Sequence, residues 1–252
     1  MRTAKKLLIG VELAAGLFIP SNWRTLYVAL RSRKSQPVQE CPICHYKGRF
    51  DAGGVLIPRM NASCPRCHSM ERNRLLMLAI ERGRFSFKAK SILHFAPEPA
   101  VQRMIGASAP SAYLTADIDP GKAMRCINIE DMDLPSSSFE IVICSHILEH
   151  VDHRKALSEI FRVLQPGGLA IIMFPIVEAW EETYEDPQYW NTPEERTAHF
   201  GQDDHLKFFG RDVHDAIRNS GFLLERFVAG GADSARYALI RGETVFLASK
   251  PG

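Results

Sequence analysis

The chain has no apolar run long enough to cross a bilayer, which takes about 20 residues. Its longest candidate, Leu7 to Ile19, is interrupted by Glu12 and ended by Pro20. Lys5 and Lys6 precede that run, but Glu12 and the lack of a small-residue cleavage site argue against a secretory signal. No segment of about 20–50 residues repeats, which excludes solenoids and propellers. Also missing are a phosphate-cradling P-loop, a Ser-His-Asp nucleophile motif and any catalytic metal motif. Cysteine is sparse at six residues, four of them in two close pairs. Without a secretory signal, that usage favours a reducing compartment, the cytoplasm, and metal binding over disulfides.

What is present is ordinary for a globular protein: 252 residues, 46% hydrophobic and 24% charged. That length accommodates one large α/β domain and a small module. Charge is unevenly placed. Residues 1–90 sum to +12 and residues 91–252 to −10. Two readings stand: the basic third meets an anionic partner such as nucleic acid or phospholipid, or the two parts neutralise each other.

Residues 1–38 read as a basic helical leader, with Trp23, Leu26, Tyr27 and Leu30 among Arg24, Arg31, Arg33 and Lys34. Residues 1–34 would suit peripheral contact with the inner face of a membrane through an interfacial helix, or packing on the protein itself. Residues 39–72 hold the paired cysteines. From residue 73 to 252 helices and strands alternate. Asn73–Arg82 is a helix stopped by Gly83, and strands are expected at Ser91–Phe95, Ala112–Ala116, Cys126–Ile129, Glu140–Cys144 and Leu169–Phe174, with helices over 98–106 and 153–164. Val213–Ser220 reads as a helix and Leu223–Val228 and Thr244–Ser249 as closing strands. This alternation predicts a doubly wound, mostly parallel sheet. Residues 176–210 break the rhythm. They are rich in aromatics and acids (Trp180, Tyr184, Tyr189, Trp190) and are expected to be a lid or substrate-binding insertion.

Cys41-Pro-Ile-Cys44 and Cys64-Pro-Arg-Cys67 have the spacing of a zinc ribbon. Four thiolates suit tetrahedral Zn²⁺ and leave no open coordination position, so the ion would be structural. His45 and His68, each directly after a ligand, are alternative ligands or lie outside the shell. Cys126 and Cys144 fall in or beside core strands and are expected to be buried thiols.

Asn128 to His150, containing Asp133-Leu-Pro-Ser-Ser-Ser-Phe139 and Ser145-His-Ile-Leu-Glu-His150, is followed by Phe161-Arg-Val-Leu-Gln-Pro-Gly-Gly168. These stretches resemble class I S-adenosylmethionine-dependent methyltransferases with a type 11 methyltransferase domain. The whole series, over residues 41–250, resembles the subgroup in which a Cys-Pro-x-Cys zinc ribbon precedes that domain. The resemblance implies a Rossmann-like fold, with S-adenosylmethionine beyond the carboxyl ends of the strands. It places the loop His94-Phe95-Ala96 and Glu98 at the methionine part, Asp117 and Ile118 at the ribose, Asn128 and Ile129 at the adenine, and Ser145 and His146 near the methyl group. The first loop departs from the family's usual glycine-rich form, so a left-handed backbone is harder to reach there. Gln165-Pro-Gly-Gly168 needs only a turn-forming role.

Methyl transfer requires alignment of the acceptor, exclusion of water and often removal of a proton. His146 and His205 are the candidate catalytic bases, with Asp203 or Asp204 to orient the latter; His150, His153 and His199 are weaker candidates. The expected acceptor is a small molecule, lipid-linked sugar or glycan. An RNA acceptor gripped by the basic ribbon, or a non-catalytic binding protein on the same fold, are the alternatives.

Overall fold

The computed structural model describes residues 38–53 and 59–252. Apart from Val38, the basic leader, with its expected helix and membrane contact, lies outside the described residues. No helix among the described residues is long and apolar enough to cross a membrane.

The cysteine module is built from two small antiparallel pairs: β1 (Gln39–Glu40) with β2 (Lys47–Gly48), and β3 (Asp51–Gly53) with β4 (Arg59–Ser63). Cysteine knuckles follow β1 and β4. α1 (Glu71–Glu81) leaves the module and starts two residues earlier than its apolar pattern predicts. Asn73 supplies the reason, because its Oδ1 accepts from Met70 N at 2.9 Å and closes the first turn.

The main sheet contains β5 (Ser91–Phe95), β6 (Ala112–Asp117), β7 (Arg125–Cys126), β8 (Phe139–Ser145), β9 (Leu164–Met173), β12 (Leu223–Val228) and β13 (Thr244–Ser249). Their order is β12-β13-β9-β8-β5-β6-β7. All neighbours pair in parallel except at β13, which is antiparallel to both β9 and β12. The chain winds outward from β5 on one side and from β8 on the other, so the strand order reverses between these two strands.

Helices cover both faces. α3 (His153–Val163) and α5 (Val213–Asn219) pack Ala156, Leu157, Ile160 and Ile217 on a face that includes Leu93, Val142, Ile172 and Phe246. α1, α2 (Pro99–Ala107) and α6 (Gly231–Tyr237) bring Leu75, Val101, Ile105 and Tyr237 to the other, against Ile92, Ile143, Ile171 and Leu247. Alternate residues of one strand serve opposite cores, as a pleated strand requires.

Three expectations change. The third strand covers Arg125–Cys126 rather than Cys126–Ile129, because the chain bends after Ile127 N donates to Asp117 O at 3.0 Å. As the edge strand it leaves Cys126 exposed, whereas Cys144 is buried as expected. Strand five begins at Leu164, with Gly167 N donating to Lys250 O and Lys250 N to Gly168 O. Each glycine there has its own reason: Gly167 sits at φ +74°, and a Cβ on Gly168 would lie 2.8 Å from the Gln165 carbonyl oxygen.

Residues 176–210 are organised. β10 (Tyr184–Glu185) pairs with β11 (Lys207–Phe208), and α4 (Pro193–Phe200) lies between them. A Thr192–Glu195 capping box starts α4, and Gly201 at φ +80° ends it. Buried Lys207 pairs with Glu185 Oε1 at 2.9 Å.

Candidate functional site

The four knuckle cysteines converge. Cys41 and Cys67 Sγ lie 3.6 Å apart, as do Cys44 and Cys64 Sγ, and all four sulfurs fall within 4.8 Å of one another. A ZnS₄ tetrahedron with bonds of about 2.3 Å has edges of about 3.8 Å, so the cluster fits zinc. Each knuckle turns by the same bond, His45 N to Cys41 O and His68 N to Cys64 O, both 2.8 Å. His45 and His68 adopt left-handed backbones, φ 58° and 57°. Their positions serve the turn, and the sulfurs alone form the cluster.

The ribbon is joined to the sheet by a buried guanidinium. Arg74 is fully buried and donates to the carbonyls of Asn61, Ala62 and Ser69 on one side and of Tyr237 and Ala238 on the other. Ion pairs continue the seam outward: Arg72 with Glu98, Arg82 with Asp233, Arg84 with Glu225 and Lys90 with Glu140. In this part the basic third is neutralised by the acidic remainder.

A cavity of about 450 Å³ opens at the carboxyl ends of β5, β6 and β8, where the strand order reverses. Ligands of open α/β sheets occupy that position. Phe95 and Ala96 line it after β5, Asp117 and Ile118 after β6, Asn128 and Ile129 after β7, and His146 after β8. Asp117 Oδ1 accepts from Asp119 N at 2.9 Å, which fixes the carboxylate at the rim. Asn128 Oδ1 is held in the same way by Glu130 N at 3.0 Å. Ile118 is 64% exposed, an apolar wall open to a planar ligand. Ala96 has φ 45° and His146 φ 55°. The first loop thus reaches the left-handed region without glycine, and non-glycine residues in that region cluster at functional sites.

The remaining expected cofactor residues do not line the cavity. His94 is buried, with Nδ1 2.9 Å from the Tyr113 hydroxyl; burial pushes its pKa down to about 4 and keeps the ring neutral. Glu98 is engaged by Arg72 Nη2 at 2.9 Å and Asn73 Nδ2 at 2.8 Å. Although burial opposes its charge, Arg72 holds its carboxyl below the usual range. Ser145 also stands off the lining.

His146 Nδ1 lies 3.3 Å from Glu149 Oε1, while its Nε2 is buried without a partner. His205 is buried behind His150 rather than exposed to the cavity, their rings in a T-shaped contact at 4.7 Å. His150 and Asp204 do line the cavity. Glu149, 1% exposed, has both carboxylate oxygens without a hydrogen-bond donor. Glu149 carries no local sign of a role in the sequence, because His205 is brought to it and to His150 only by the fold.

A family model described as a methyltransferase domain matches residues 101–172. An uncharacterised protein of Methanocaldococcus jannaschii is 33% identical over 70 residues, 27% of this chain and 31% of that protein. A protein of Mycolicibacterium smegmatis named probable S-adenosylmethionine-dependent methyltransferase is 35% identical over 57 residues, 22% of each chain. The matched segments thus span about a third and about a fifth of these curated relatives. Among solved structures, an S-adenosylmethionine-dependent methyltransferase from Mesorhizobium loti superposes with TM-score 0.50 at 17% identity, covering 69% of this chain and 97% of that one. The described chain therefore has the class I methyltransferase fold, with residues 101–172 matching the methyltransferase-domain model and a four-cysteine cluster ahead of them.

Proposed function

We propose that the protein is an S-adenosylmethionine-dependent methyltransferase whose acceptor is a small molecule or glycan. The observation that carries this reading is the cavity itself, at the reversal of strand order, with a carboxylate at one rim and a histidine with a free ring nitrogen at the other. When bound, the cofactor supplies a methyl group on a sulfonium, and the chain's own groups arrange the rest.

Asp117 offers a carboxylate oxygen to the ribose hydroxyls, and Ile118 and Ile129 flank the adenine. Ala96 brings the backbone of the first loop close to the methionine part. His146 is the ring that would take the acceptor's hydrogen: Nδ1 lies 3.3 Å from Glu149 Oε1, and Nε2, buried without a partner, meets the acceptor only if the ring turns toward the cavity. Burial of the reacting end limits competition from water.

Several observations favour a compact acceptor over RNA. Arg72, Arg82, Arg84 and Lys90 are already paired with acids of the same chain. The cavity also has the size of small-molecule sites. Zinc in the ribbon would be structural, and the contribution of that module is to anchor α1 beside the first loop.

Titration calorimetry with S-adenosylhomocysteine tests the reading. One site per chain is expected, and absence of heat with folded, zinc-replete protein removes the enzymatic assignment.

A further inference from the structure

We propose that Glu149, His150 and His205 form a binding site for a divalent first-row transition-metal ion at the acceptor end of the cavity. One ligand atom from each of the three side chains lies within 4.8 Å of the others. Burying a carboxylate without donors is costly, several kcal/mol even after relaxation. Glu149 is 1% exposed; His146 Nδ1 lies 3.3 Å from its Oε1 without hydrogen-bond alignment, and neither carboxylate oxygen accepts a hydrogen bond. His205 is 4% exposed and its Nδ1 is buried without a partner. Such orphaned buried atoms call for a bound ion, a proton or a strain role, and here they lie close to one another.

The surrounding bonds leave the right atoms free. His150 Nδ1 is 3.0 Å from the Asp204 carbonyl oxygen, so it donates there and leaves Nε2 unprotonated. A backbone carbonyl on the far nitrogen is the usual way a ligating imidazole is oriented. The two segments are joined directly, because Leu206 N donates to Glu149 O at 2.9 Å. A tetrahedral shell with bonds of about 2.1 Å has edges of about 3.4 Å, which modest side-chain rotations reach from the observed spacing.

Two imidazoles and one carboxylate select zinc, cobalt, manganese or iron over calcium or magnesium, which prefer oxygen-rich shells. Three protein ligands leave a position open, as in catalytic rather than structural sites. His150 and Asp204 both border the cavity, so that position is available to an acceptor oxygen. The ion would orient that oxygen and stabilise its deprotonated form. The ligand set is argued from the side chains alone, whereas this role rests on the methyltransferase reading.

The test is a titration of Co²⁺ into the full-length chain carrying a single equivalent of zinc, which the four cysteines hold, followed by visible absorption. One further equivalent is expected, with d–d bands and no thiolate charge-transfer band, since the sulfurs already hold zinc. Glu149→Gln and His205→Gln should each weaken cobalt binding at least about tenfold, while zinc content and thermal midpoint stay near wild type. His199→Gln should leave cobalt affinity unchanged. The proposal is overturned if wild-type protein takes up no cobalt beyond exchange at the cysteines, or if both variants, folded, bind as wild type does. A variant that does not fold leaves the wild-type titration decisive. Calorimetry with S-adenosylhomocysteine on the same samples separates the two readings: cobalt uptake without cofactor binding would sink the methyltransferase assignment and leave the metal site standing.

Discussion

Arg74 Nε donates to the carbonyl of Tyr237 at 2.8 Å, which ties the helix that leaves the ribbon to the last helix packed on the main sheet. The same guanidinium serves carbonyls on the ribbon side and lies over the Phe50 ring at 4.7 Å. Arg74→Met would preserve much of the volume but strand several buried carbonyls at once. The expected loss is about 3 kcal/mol or more, read as a lower denaturation midpoint; a change below about 0.5 kcal/mol would show the seam to be inert.

The ribbon's dependence on zinc follows from its small core, in which Phe50, Ala62, Cys41 and Cys64 are the buried apolar groups. In purified protein the four cysteines should hold one zinc tightly. Chelation or Cys64→Ser should release it and unfold the module. Because Arg74 spans the seam, the catalytic domain should lose thermal stability in parallel. Metal analysis and calorimetric melting check both, and zinc-free protein with an unchanged melt would count against the assignment.

Cofactor affinity should depend on Asp117 and not on its neighbour Asp119, whose backbone N–H makes the turn regardless of side chain. Loss of one charged hydrogen bond costs about 1.5–3 kcal/mol, roughly 10- to 150-fold in affinity. Asp117→Ala should weaken S-adenosylhomocysteine by that factor in calorimetry, and Asp119→Ala should stay within about twofold of wild type.

Glu243 gives a dependence of stability on pH. Its Oε2 is buried without a partner, and burial pushes its pKa up to about 7 from 4.5. The folded state therefore binds a proton that the unfolded state has released between those values, so stability falls as pH rises from about 4.5 through 7. Above pH 7 the penalty is constant, about 1–3 kcal/mol. Glu243→Gln should match wild type near pH 4.5 and exceed it at pH 8 in urea midpoints. A difference independent of pH would show that the carboxylate ionises freely in the fold.

Periodicity made the sheet legible. Ser91–Phe95, Leu223–Val228 and Thr244–Ser249 occupy the expected residues because buried strands and their glycine stops leave local signals. The end of β7 was not legible, since Ile127 and Ile129 look like strand residues but turn inward to wall the cavity. Ala96 illustrates a different limit. A glycine would have signalled its left-handed backbone, whereas alanine adopts it under constraint from the surrounding sheet. Glu149 and His205 are 56 positions apart in sequence, with nothing regular between them to suggest that a strand pair returns one to the other. Likewise, Glu98 at the start of α2 gives no local sign that Arg72 and Asn73 of α1 will engage it.

β13 follows β12 in the chain yet lies between β12 and β9 in the sheet. During synthesis β12 therefore emerges with no strand to join, and β9 waits with an open hydrogen-bonding edge that includes Ile171 and Ile172. Exposed apolar edges recruit other chains. From translation of Met173 until that of Ser249 the nascent protein therefore carries an unfinished sheet, and a ribosome stalled in that interval would leave the β9 edge open to other chains.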